Sequence, residues 1–258
     1  MTNAIAPPIV RLRGVGKTFA NGTIALEGLD LDVRSGEFLS LLGPSGCGKS
    51  TVLRMIAGLA SPSAGSIDWS DAQSRSDLGY VFQDSTLMPW TSVFNNVWLP
   101  LRLSGLSKAD AATRIEEALS LVGLSGFAKS YPRELSGGMK MRVSIARALV
   151  LRPRLLLMDE PFAALDEITR FKLNNDLLRL KAELGTTVIF VTHSVYESVY
   201  LSSRIAVFAS RPGRIIDTID IDAPYPRNED FRHSALYAER SRAASTALMS
   251  AIAAEDHL

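Results

Sequence analysis

The chain has 258 residues, of which 47% are hydrophobic and 21% are charged, and its net charge is +1. This composition is typical of a globular protein with a substantial core, and the lack of a basic block argues against nucleic-acid binding. The sequence has no apolar run of about 18 residues to span a membrane, and residues 1–8 lack the pattern of a secretory signal. The single cysteine, Cys47, excludes an internal disulfide and fits a reducing cytoplasm.

The first predicted elements are two strands joined by a turn. Apolar residues in partial alternation predict strands at residues 9–15 and 25–33, and Asn21-Gly22 is a hairpin-type turn between them. Phe19 lies just before this turn. From the pattern alone it is an apolar residue at a strand end.

A strand, a glycine-rich loop and a helix follow in the order that a phosphate-binding loop requires. Residues 38–42 are apolar, and the apolar spacing after Lys49 is helical. The pattern G-x-x-x-x-G-K-S between them consists of Gly43, Pro44, Ser45, Gly46, Cys47, Gly48, Lys49 and Ser50, with Thr51 next. Glycines let successive backbone N–H groups point into one cavity, and the helix N-terminus adds its dipole. We therefore predict a nucleoside triphosphate site in which Lys49 contacts the β- and γ-phosphates and Ser50 ligates Mg²⁺. Cys47 is interpreted as a small residue that fills a tight loop rather than as a redox group.

A helical insertion interrupts the strands that come next. Residues 66–69 and 78–82 predict short strands, Gln83 follows, and the next strand-like run begins only at residue 155. A connection of this length needs structure of its own. Three serines can cap helices that run through residues 103, 122 and 151, namely Ser92, Ser107 and Ser136. We predict a helical subdomain at about residues 84–152.

The α/β pattern resumes after the insertion. Residues 155–158 and 187–191 predict strands, separated by a helix at residues 166–184 that Gly185 ends. A helix through residue 201 and strands at residues 205–208 and 214–219 complete the pattern. The expected α/β domain spans residues 9–222. Residues 223–258, with a helix at residues 228–254, are predicted to form a C-terminal helical tail.

Two adjacent carboxylates end the strand at residues 155–158. Ligands of open α/β sheets bind at the carboxyl ends of the strands, so Asp159 and Glu160 belong beside the phosphate-binding loop. Asp159 is predicted to hold the Mg²⁺ shell, and Glu160, which points elsewhere, to act as general base on a water molecule. The alternative is an ordinary Asp-Glu turn.

A second candidate site consists of Leu135, Ser136, Gly137, Gly138 and Met139. Two glycines at a helix start disfavour the helix, but they fit a place where the backbone approaches a ligand closely. A serine cap and the helix dipole favour an anion there. The alternative is a plain capped helix with a glycine-rich turn.

In order and spacing these motifs resemble those of the ATP-binding-cassette (ABC) ATPases. The resemblance covers residues 9–220 and rests on residues 43–51, Gln83, residues 135–139, residues 155–160, Ala164-Leu165-Asp166 and His193. It implies ATP hydrolysis with ATP and Mg²⁺ bound. It also implies a P-loop NTPase (RecA-like) core with an inserted α-helical subdomain and an antiparallel β subdomain.

The resemblance further implies roles for single residues. Phe19 would stack on adenine, and Gln83 would contact Mg²⁺ and sense the membrane partner. Asp166 would link two subunits, and His193 would contact the γ-phosphate, which places Gln83 and His193 in the catalytic set with Glu160. A neutral surface histidine is the alternative for His193.

The resemblance also implies an assembly. ABC ATPases pair head to tail, so that the phosphate-binding loop of one copy faces residues 136–139 of the other with ATP between them. Met139, Lys140 and Met141 depart from the commonest signature. We expect little loss from this, because Gly137 and Gly138 would contact the phosphate through their backbone.

A single cassette without a fused membrane span resembles the separate ATPase subunit of a bacterial importer. Residues 87–90, 160–170 and 210–215 look like the nitrate/sulfonate/taurine branch, some members of which carry other small molecules, such as pyrimidine vitamin precursors. The implied partners are a second copy, integral membrane permease subunits and, indirectly, a periplasmic or lipoprotein solute-binding protein, with no nucleic acid. The implied location is the cytoplasmic face of the inner membrane.

Three aromatic residues lie where the family docks its membrane subunit, namely Trp90, Phe94 and Trp98, although Phe94 and Trp98 are equally well explained as subdomain core. Two other classes remain as alternatives. A non-transport ABC ATPase of DNA repair or translation usually has tandem cassettes or coiled-coil inserts, and this sequence has neither. A P-loop kinase or GTPase would not combine residues 135–139 with His193.

Overall fold

The computed structural model of the chain describes residues 7–72, 74, 77–210, 212–225 and 227–253. Four sequence predictions extend beyond these ranges. They are the missing secretory signal at residues 1–8, the segment at residues 210–215 with Arg211, the domain boundary marked in part by Pro226, and the C-terminal tail, whose predicted helix ends at Ala254 and whose predicted bounds reach Leu258.

The described residues alternate between strands and helices. The strands are β1 (Pro8–Thr18), β2 (Ile24–Arg34), β3 (Phe38–Leu42), β4 (Ala64–Trp69), β5 (Leu78–Val81), β6 (Leu155–Asp159), β7 (Thr187–Thr192), β8 (Arg204–Ala209) and β9 (Arg214–Asp220). The helices are α1 (Lys49–Ile56), α2 (Val93–Leu103), α3 (Lys108–Leu121), α4 (Gly137–Leu149), α5 (Glu167–Leu184), α6 (Val195–Leu201), α7 (Glu229–Arg232) and α8 (Ala235–Ala253).

A six-stranded sheet forms the centre of the molecule, in the order β5-β6-β7-β3-β8-β9, and only β9 is antiparallel to its neighbour. Strands β3, β6 and β7 are buried along their whole length. They read as continuous apolar runs because helices and a second sheet cover both faces. Since β6, β7 and β3 are neighbours and parallel, the residues that follow them meet at one edge of the sheet.

A smaller antiparallel sheet, in the order β2-β1-β4, packs on one face of the central sheet through shared buried residues. The β1–β2 turn closes with a hydrogen bond from the Phe19 amide to the Thr23 carbonyl at 2.9 Å. Strand β4 begins two residues earlier than the sequence pattern predicted, because Ala64 pairs with Gly16 of β1. The predicted antiparallel β subdomain is therefore present.

Helices α2, α3 and α4 occupy the predicted insertion between β5 and β6, and their apolar faces share one core. Ser92, Ser107 and Ser136 each accept a backbone N–H as helix caps. The prediction that α4 extends to residue 151 was wrong. The helix ends at Leu149, because Arg152 has a left-handed φ of 54° and precedes a proline, which disfavours helical geometry.

The C-terminal helices pack against the core rather than extending away from it. Helix α8 lies on β8, β9 and α6, and small residues on its inner face are buried: Ser241, Ala244, Ala247 and Ala251. Arg227, 5% exposed, donates from Nη1 to the carbonyls of Val199, Tyr200 and Ser202 at 2.8–3.0 Å. This guanidinium satisfies carbonyl groups at the end of α6 that would otherwise lack partners.

Candidate active site

The phosphate-binding loop joins β3 to α1 at the carboxyl edge of the central sheet. Gly48 precedes α1 with a φ of 94°, and a Cβ atom there would come within 2.7 Å of Leu26. Gly43 would place a Cβ 2.8 Å from the carbonyl oxygen of Phe208. Both positions therefore require glycine. Within the described ranges, no side chain caps the start of α1, so the N–H groups of its first turn are not taken up in that way.

Lys49 is folded over this loop. Its Nζ donates to the carbonyls of Gly43 at 2.8 Å and Pro44 at 2.7 Å, and the side chain is 3% exposed. The Cys47 sulfur lies 3.4 Å from the same nitrogen. Burial raises the pKa of the Cys47 thiol, although the nearby Lys49 charge acts in the opposite direction. A buried, protonated thiol agrees with the interpretation of Cys47 as a filler residue.

Asp159 lies next to the loop at the end of β6. Its Oδ1 accepts a hydrogen bond from Ser50 Oγ at 2.6 Å, and its Oδ2 accepts one from Tyr80 Oη at 3.3 Å. Burial and then the Asp159 charge raise the Tyr80 pKa, so the phenol remains a donor. Tyr80 belongs to β5, the neighbour of β6 in the sheet.

This oxygen pair fits Mg²⁺. The described residues contain no group of three or more His, Cys, Asp or Glu side chains that could hold a metal ion by themselves. Mg²⁺ prefers hard oxygen ligands, and in phosphate sites it uses one or two protein oxygens together with phosphate oxygens and water. Ser50 and Asp159 supply protein oxygens of this kind, and the two oxygens lie 2.6 Å apart.

Glu160 faces a different partner from Asp159. Its φ of 46° is left-handed, an uncommon conformation for a residue other than glycine, and its N–H donates to the Val191 carbonyl at 3.1 Å. Glu160 Oε2 lies 3.3 Å from Nδ1 of His193, whose side chain is 51% exposed. The turn at Glu160 thus separates the two carboxylates, one towards Ser50 and one towards His193. The sequence predicted that Glu160 would point away from Asp159 but did not pair it with His193.

A buried hydrogen-bonded cluster lies behind His193. Thr192 Oγ1 donates to Glu197 Oε2 at 2.6 Å and accepts from the Ser194 amide at 3.0 Å. Glu197 Oε1 lies 3.4 Å from Nε of Arg170. Burial raises the Glu197 pKa, and the Thr192 hydrogen bond and the Arg170 charge oppose that effect. No sequence motif indicated this cluster.

The second candidate site, residues 135–139, lies at the start of α4. Ser136 caps the helix by accepting the Met139 amide at 3.3 Å. Gly137 is exposed, and a Cβ there would meet only Leu165 at 3.7 Å. Gly138 is buried, and a Cβ there would come within 2.6 Å of Thr169 Cγ2. Packing against Thr169 within the same chain therefore favours glycine at position 138, independently of any ligand. Nothing in the sequence indicated this contact.

The remaining predicted site residues lie at the surface. Phe19 is 45% exposed at the β1–β2 turn, with Lys17 Nζ 5.8 Å from its ring centroid, and Gln83 is exposed after β5. Asp166 caps α5 by accepting the Thr169 amide at 2.9 Å. This hydrogen bond lowers the Asp166 pKa.

The aromatic residues after Gln83 divide into two groups. Trp90 is 76% exposed. Phe94 and Trp98 are partly buried against the main core, and the Trp98 indole donates to the Leu106 carbonyl at 3.2 Å. The core interpretation therefore applies to Phe94 and Trp98, and Trp90 is the one of the three that a partner would meet.

The structure joins some of the predicted residues and separates others. The phosphate-binding loop, Asp159, Glu160 and His193 form one site. Among the described residues, no hydrogen bond or ion pair connects that site to residues 135–139. Tyr80 was missed because its strand, β5, pairs with β6 across the helical insertion. Nothing in the sequence paired Arg170 with Glu197.

Comparison with known proteins identifies the family. The model of the ABC transporter family matches residues 26–163, which is more than half of the chain. The chain belongs to the ABC transporter family. It is an ATP-hydrolysing cassette that binds ATP, and the P-loop NTPase fold predicted from the sequence is confirmed.

Two curated relatives show where the cassette lies within the family. It is 44% identical to the aliphatic sulfonates import ATP-binding protein SsuB 1 of Pseudomonas syringae, over 85% of this chain and 89% of that protein. It is 47% identical to the nitrate import ATP-binding protein NrtC of Synechococcus elongatus, over 79% of this chain but only 32% of that protein. The resemblance to the nitrate/sulfonate/taurine branch is therefore confirmed.

A solved structure matches the fold of the cassette. A dimeric ATP-binding cassette in a post-hydrolysis state, bound to ADP and Pi, superposes with a TM-score of 0.73 at 33% identity, covering 83% of this chain and all of that one. Within the described ranges, none of the cassette's helices combines the length and the apolar character of a membrane span.

Proposed function

We propose that the cassette is the ATPase subunit of an importer, and that ATP is hydrolysed at the edge where β3, β6 and β7 end. One observation carries the site assignment above all others. Adjacent carboxylates have separate partners, since Asp159 accepts a hydrogen bond from Ser50 of the phosphate-binding loop and Glu160 contacts His193. A residue that holds the metal and a residue that acts as general base require separate positions of this kind.

The triphosphate would be held by backbone N–H groups of residues 43–51 and by Lys49, which would exchange its carbonyl partners for phosphate oxygens. Phe19 would stack on adenine. Ser50, Asp159 and Gln83 would hold Mg²⁺, directly or through water. When bound, Mg²⁺ would neutralise phosphate charge and orient the β- and γ-phosphate oxygens.

Hydrolysis would begin with a water molecule between Glu160 and the γ-phosphate. As its oxygen forms a bond to phosphorus, the bond from phosphorus to the β–γ bridging oxygen breaks, and the released proton moves to a Glu160 oxygen. ADP and phosphate are the products. His193 would donate a hydrogen bond to the γ-phosphate, and its contact with Glu160 would keep both groups at the reacting centre.

The second half of each site would come from a second copy of the cassette. Ser136, Gly137, Gly138 and Met139 of one copy would contact the ATP held by the other, and Asp166 would lie at the contact between the two. The exposed start of α4 and its separation from the phosphate-binding loop support this arrangement. A two-fold pair would then contain two equal composite sites.

The transported solute would be a small molecule of the type named for the relatives, a sulfonate or nitrate, supplied by a solute-binding protein. Trp90, which is exposed and follows Gln83 in the sequence, would contact an integral membrane permease subunit, which would place the cassette peripherally on the inner face of the membrane. The solute is tested by reconstituting the cassette with its permease and binding protein in liposomes. Taurine or nitrate should stimulate ATP hydrolysis, and a neutral pyrimidine should not. Stimulation by the pyrimidine alone would overturn the solute class.

Glu160→Gln tests the assignment of the base. The substitution keeps the size and a hydrogen-bonding oxygen of Glu160 but removes the ability to take a proton, so kcat should fall by about 10²–10⁴-fold. Nucleotide affinity, measured by titration, should be retained because residues 43–51 hold the phosphates. Hydrolysis at the wild-type rate would move the base to another residue, and His193→Ala would be measured next.

A further inference from the structure

His193 lies in a turn that is held from behind. The residues on either side of it are tied together, because Thr192 Oγ1 accepts the Ser194 amide at 3.0 Å. The same hydroxyl donates to Glu197 Oε2 at 2.6 Å, and Ser194 Oγ accepts the Glu197 amide at 3.3 Å as the cap of α6. The backbone that presents His193 is thus fixed by its hydrogen bonds to Glu197.

Glu197 is fixed in turn by α5. Glu197 is 7% exposed, and its Oε1 faces Arg170 Nε at 3.4 Å. This contact is an ion pair without hydrogen-bond geometry, and neither of the two buried atoms has a hydrogen-bond partner within the described part of the chain. Arg170 Nη2 also donates to the Leu165 carbonyl at 3.1 Å, just before the Asp166 cap. One guanidinium therefore connects the Leu165–Asp166 loop to the carboxylate behind His193.

The same two residues separate two cavities. On one side lies a small pocket lined by Glu160, Thr192 and His193. On the other side lies a cavity of about 480 Å³ between α5, α6 and the C-terminal helices. Arg170 and Glu197 line both cavities, so movement of either residue would remove the packing behind the His193 turn.

We propose that Arg170 and Glu197 are positioning residues for hydrolysis: they hold the His193 turn against Glu160 and couple it to the Leu165–Asp166 loop. This inference rests on the proposed roles of Glu160 and His193. Among the described residues, no hydrogen bond or ion pair joins Arg170 or Glu197 to the phosphate-binding loop. Their effect should therefore fall on the rate of the chemical step and not on the binding of ATP.

The test is Glu197→Gln, with Arg170→Gln as a second variant because Arg170 is less buried than Glu197 and tolerates change better. The control is Glu183→Gln, which removes a carboxylate of a more exposed ion pair with Arg179 on the same helix α5. Each variant is compared with wild type for kcat, KM for ATP, the Kd of a fluorescent ATP analogue and the melting temperature.

We expect Glu197→Gln and Arg170→Gln each to lower kcat by about 10- to 100-fold, with KM and Kd changed by less than about threefold. The double variant should lose no more than the larger single loss, because both substitutions break one connection. Glu183→Gln should match wild type. The ring signal of His193, identified among the three histidines by its absence in His193→Asn, should shift in Glu197→Gln and not in the control.

Two results would overturn the proposal. One is a wild-type kcat in either folded variant. The other is a parallel loss of kcat, nucleotide affinity and melting temperature, which is the behaviour of a purely structural ion pair. Failure of the proposed function can be distinguished from failure of this inference. If the proposed function is wrong, Glu160→Gln will hydrolyse ATP at the wild-type rate, regardless of the kcat of Glu197→Gln.

Discussion

Glu160 shows how a single backbone angle divides two neighbouring carboxylates. In a regular strand Asp159 and Glu160 would point to opposite faces of the sheet. Only one of the two carboxylates could then face the phosphate site at the sheet edge. The left-handed φ of Glu160 turns the chain after β6 and aims its carboxylate at His193. Strained backbone of this type persists only where the surrounding structure maintains it, and it is concentrated at functional sites.

The structure gives a second reason for the glycine at position 138. The sequence suggested close approach to a phosphate, but its missing Cβ is also required by Thr169 Cγ2 at 2.6 Å. Gly138→Ala should destabilise the cassette by about 1–3 kcal/mol in urea unfolding, because it overpacks a buried contact.

Thr169→Ser supplies the matched control for this effect, because it removes the methyl group that would clash. The combined Gly138→Ala/Thr169→Ser variant should regain most of the lost stability. If Gly138→Ala is as stable as wild type, or if the serine restores nothing, the contact with Thr169 is not the reason for glycine at this position.

Helix α5 depends on the carboxylate of Asp166 at its start. The hydrogen bond from the Thr169 amide lowers the Asp166 pKa below its ordinary value near 3.8, so the folded state favours the carboxylate. Its contribution to stability is therefore fully present above pH 3.8 and is lost as the pH falls through the lowered pKa. Asn caps a helix without a titrating charge.

Urea unfolding of wild type and Asp166→Asn as a function of pH measures this contribution. Wild type should be the more stable of the two at neutral pH, and the difference should shrink as the pH is lowered below the ordinary pKa. A difference that is constant with pH would mean that the charge of Asp166 does not stabilise α5.

Helix α6 depends on a residue outside it. Arg227 is buried and donates to three carbonyls at the end of α6, and its guanidinium lies 4.8 Å from the ring centroid of Phe231. Arg227→Ala should cost about 3–5 kcal/mol of unfolding free energy, because several buried carbonyls lose their donor and the packing is lost as well. The exposed Arg242→Ala on α8 should change it by less than about 0.5 kcal/mol. Equal effects of the two substitutions would contradict this account of α6.

At the scale of the whole molecule, local signals predicted the fold well. The capping serines and Gly185 indicated where helices begin or end, because these residues act on the backbone of their immediate neighbours in sequence. The buried strands β3, β6 and β7 were recognisable as continuous apolar runs. The loop at residues 43–51 and the carboxylates at Asp159 and Glu160 were equally local. The family resemblance then supplied roles for Phe19, Gln83 and His193, which no periodicity indicates.

The missed features join distant parts of the chain. Tyr80 meets Asp159 only because β5 and β6 pair across the helical insertion, and Arg170 meets Glu197 only because α5 and α6 pack together. The placement of α8 was also hidden, since its buried face consists of alanine and serine, which give a weak apolar pattern. The proposed second half of the ATP site lies further away still, in another copy of the chain.

A composite ATP site requires two copies of the chain, so the mass of the ATP-bound protein shows whether the site forms. Glu160→Gln should bind ATP without hydrolysing it, so light scattering after size exclusion with ATP and Mg²⁺ should give twice the 28.0 kDa monomer mass. Adding Gly137→Asp places a negative charge where the partner's phosphate would lie. The residue has room for a Cβ, and aspartate suits the first turn of a helix. The double variant should bind nucleotide but remain a monomer. A double variant that dimerises with ATP as fully as Glu160→Gln would contradict the composite site.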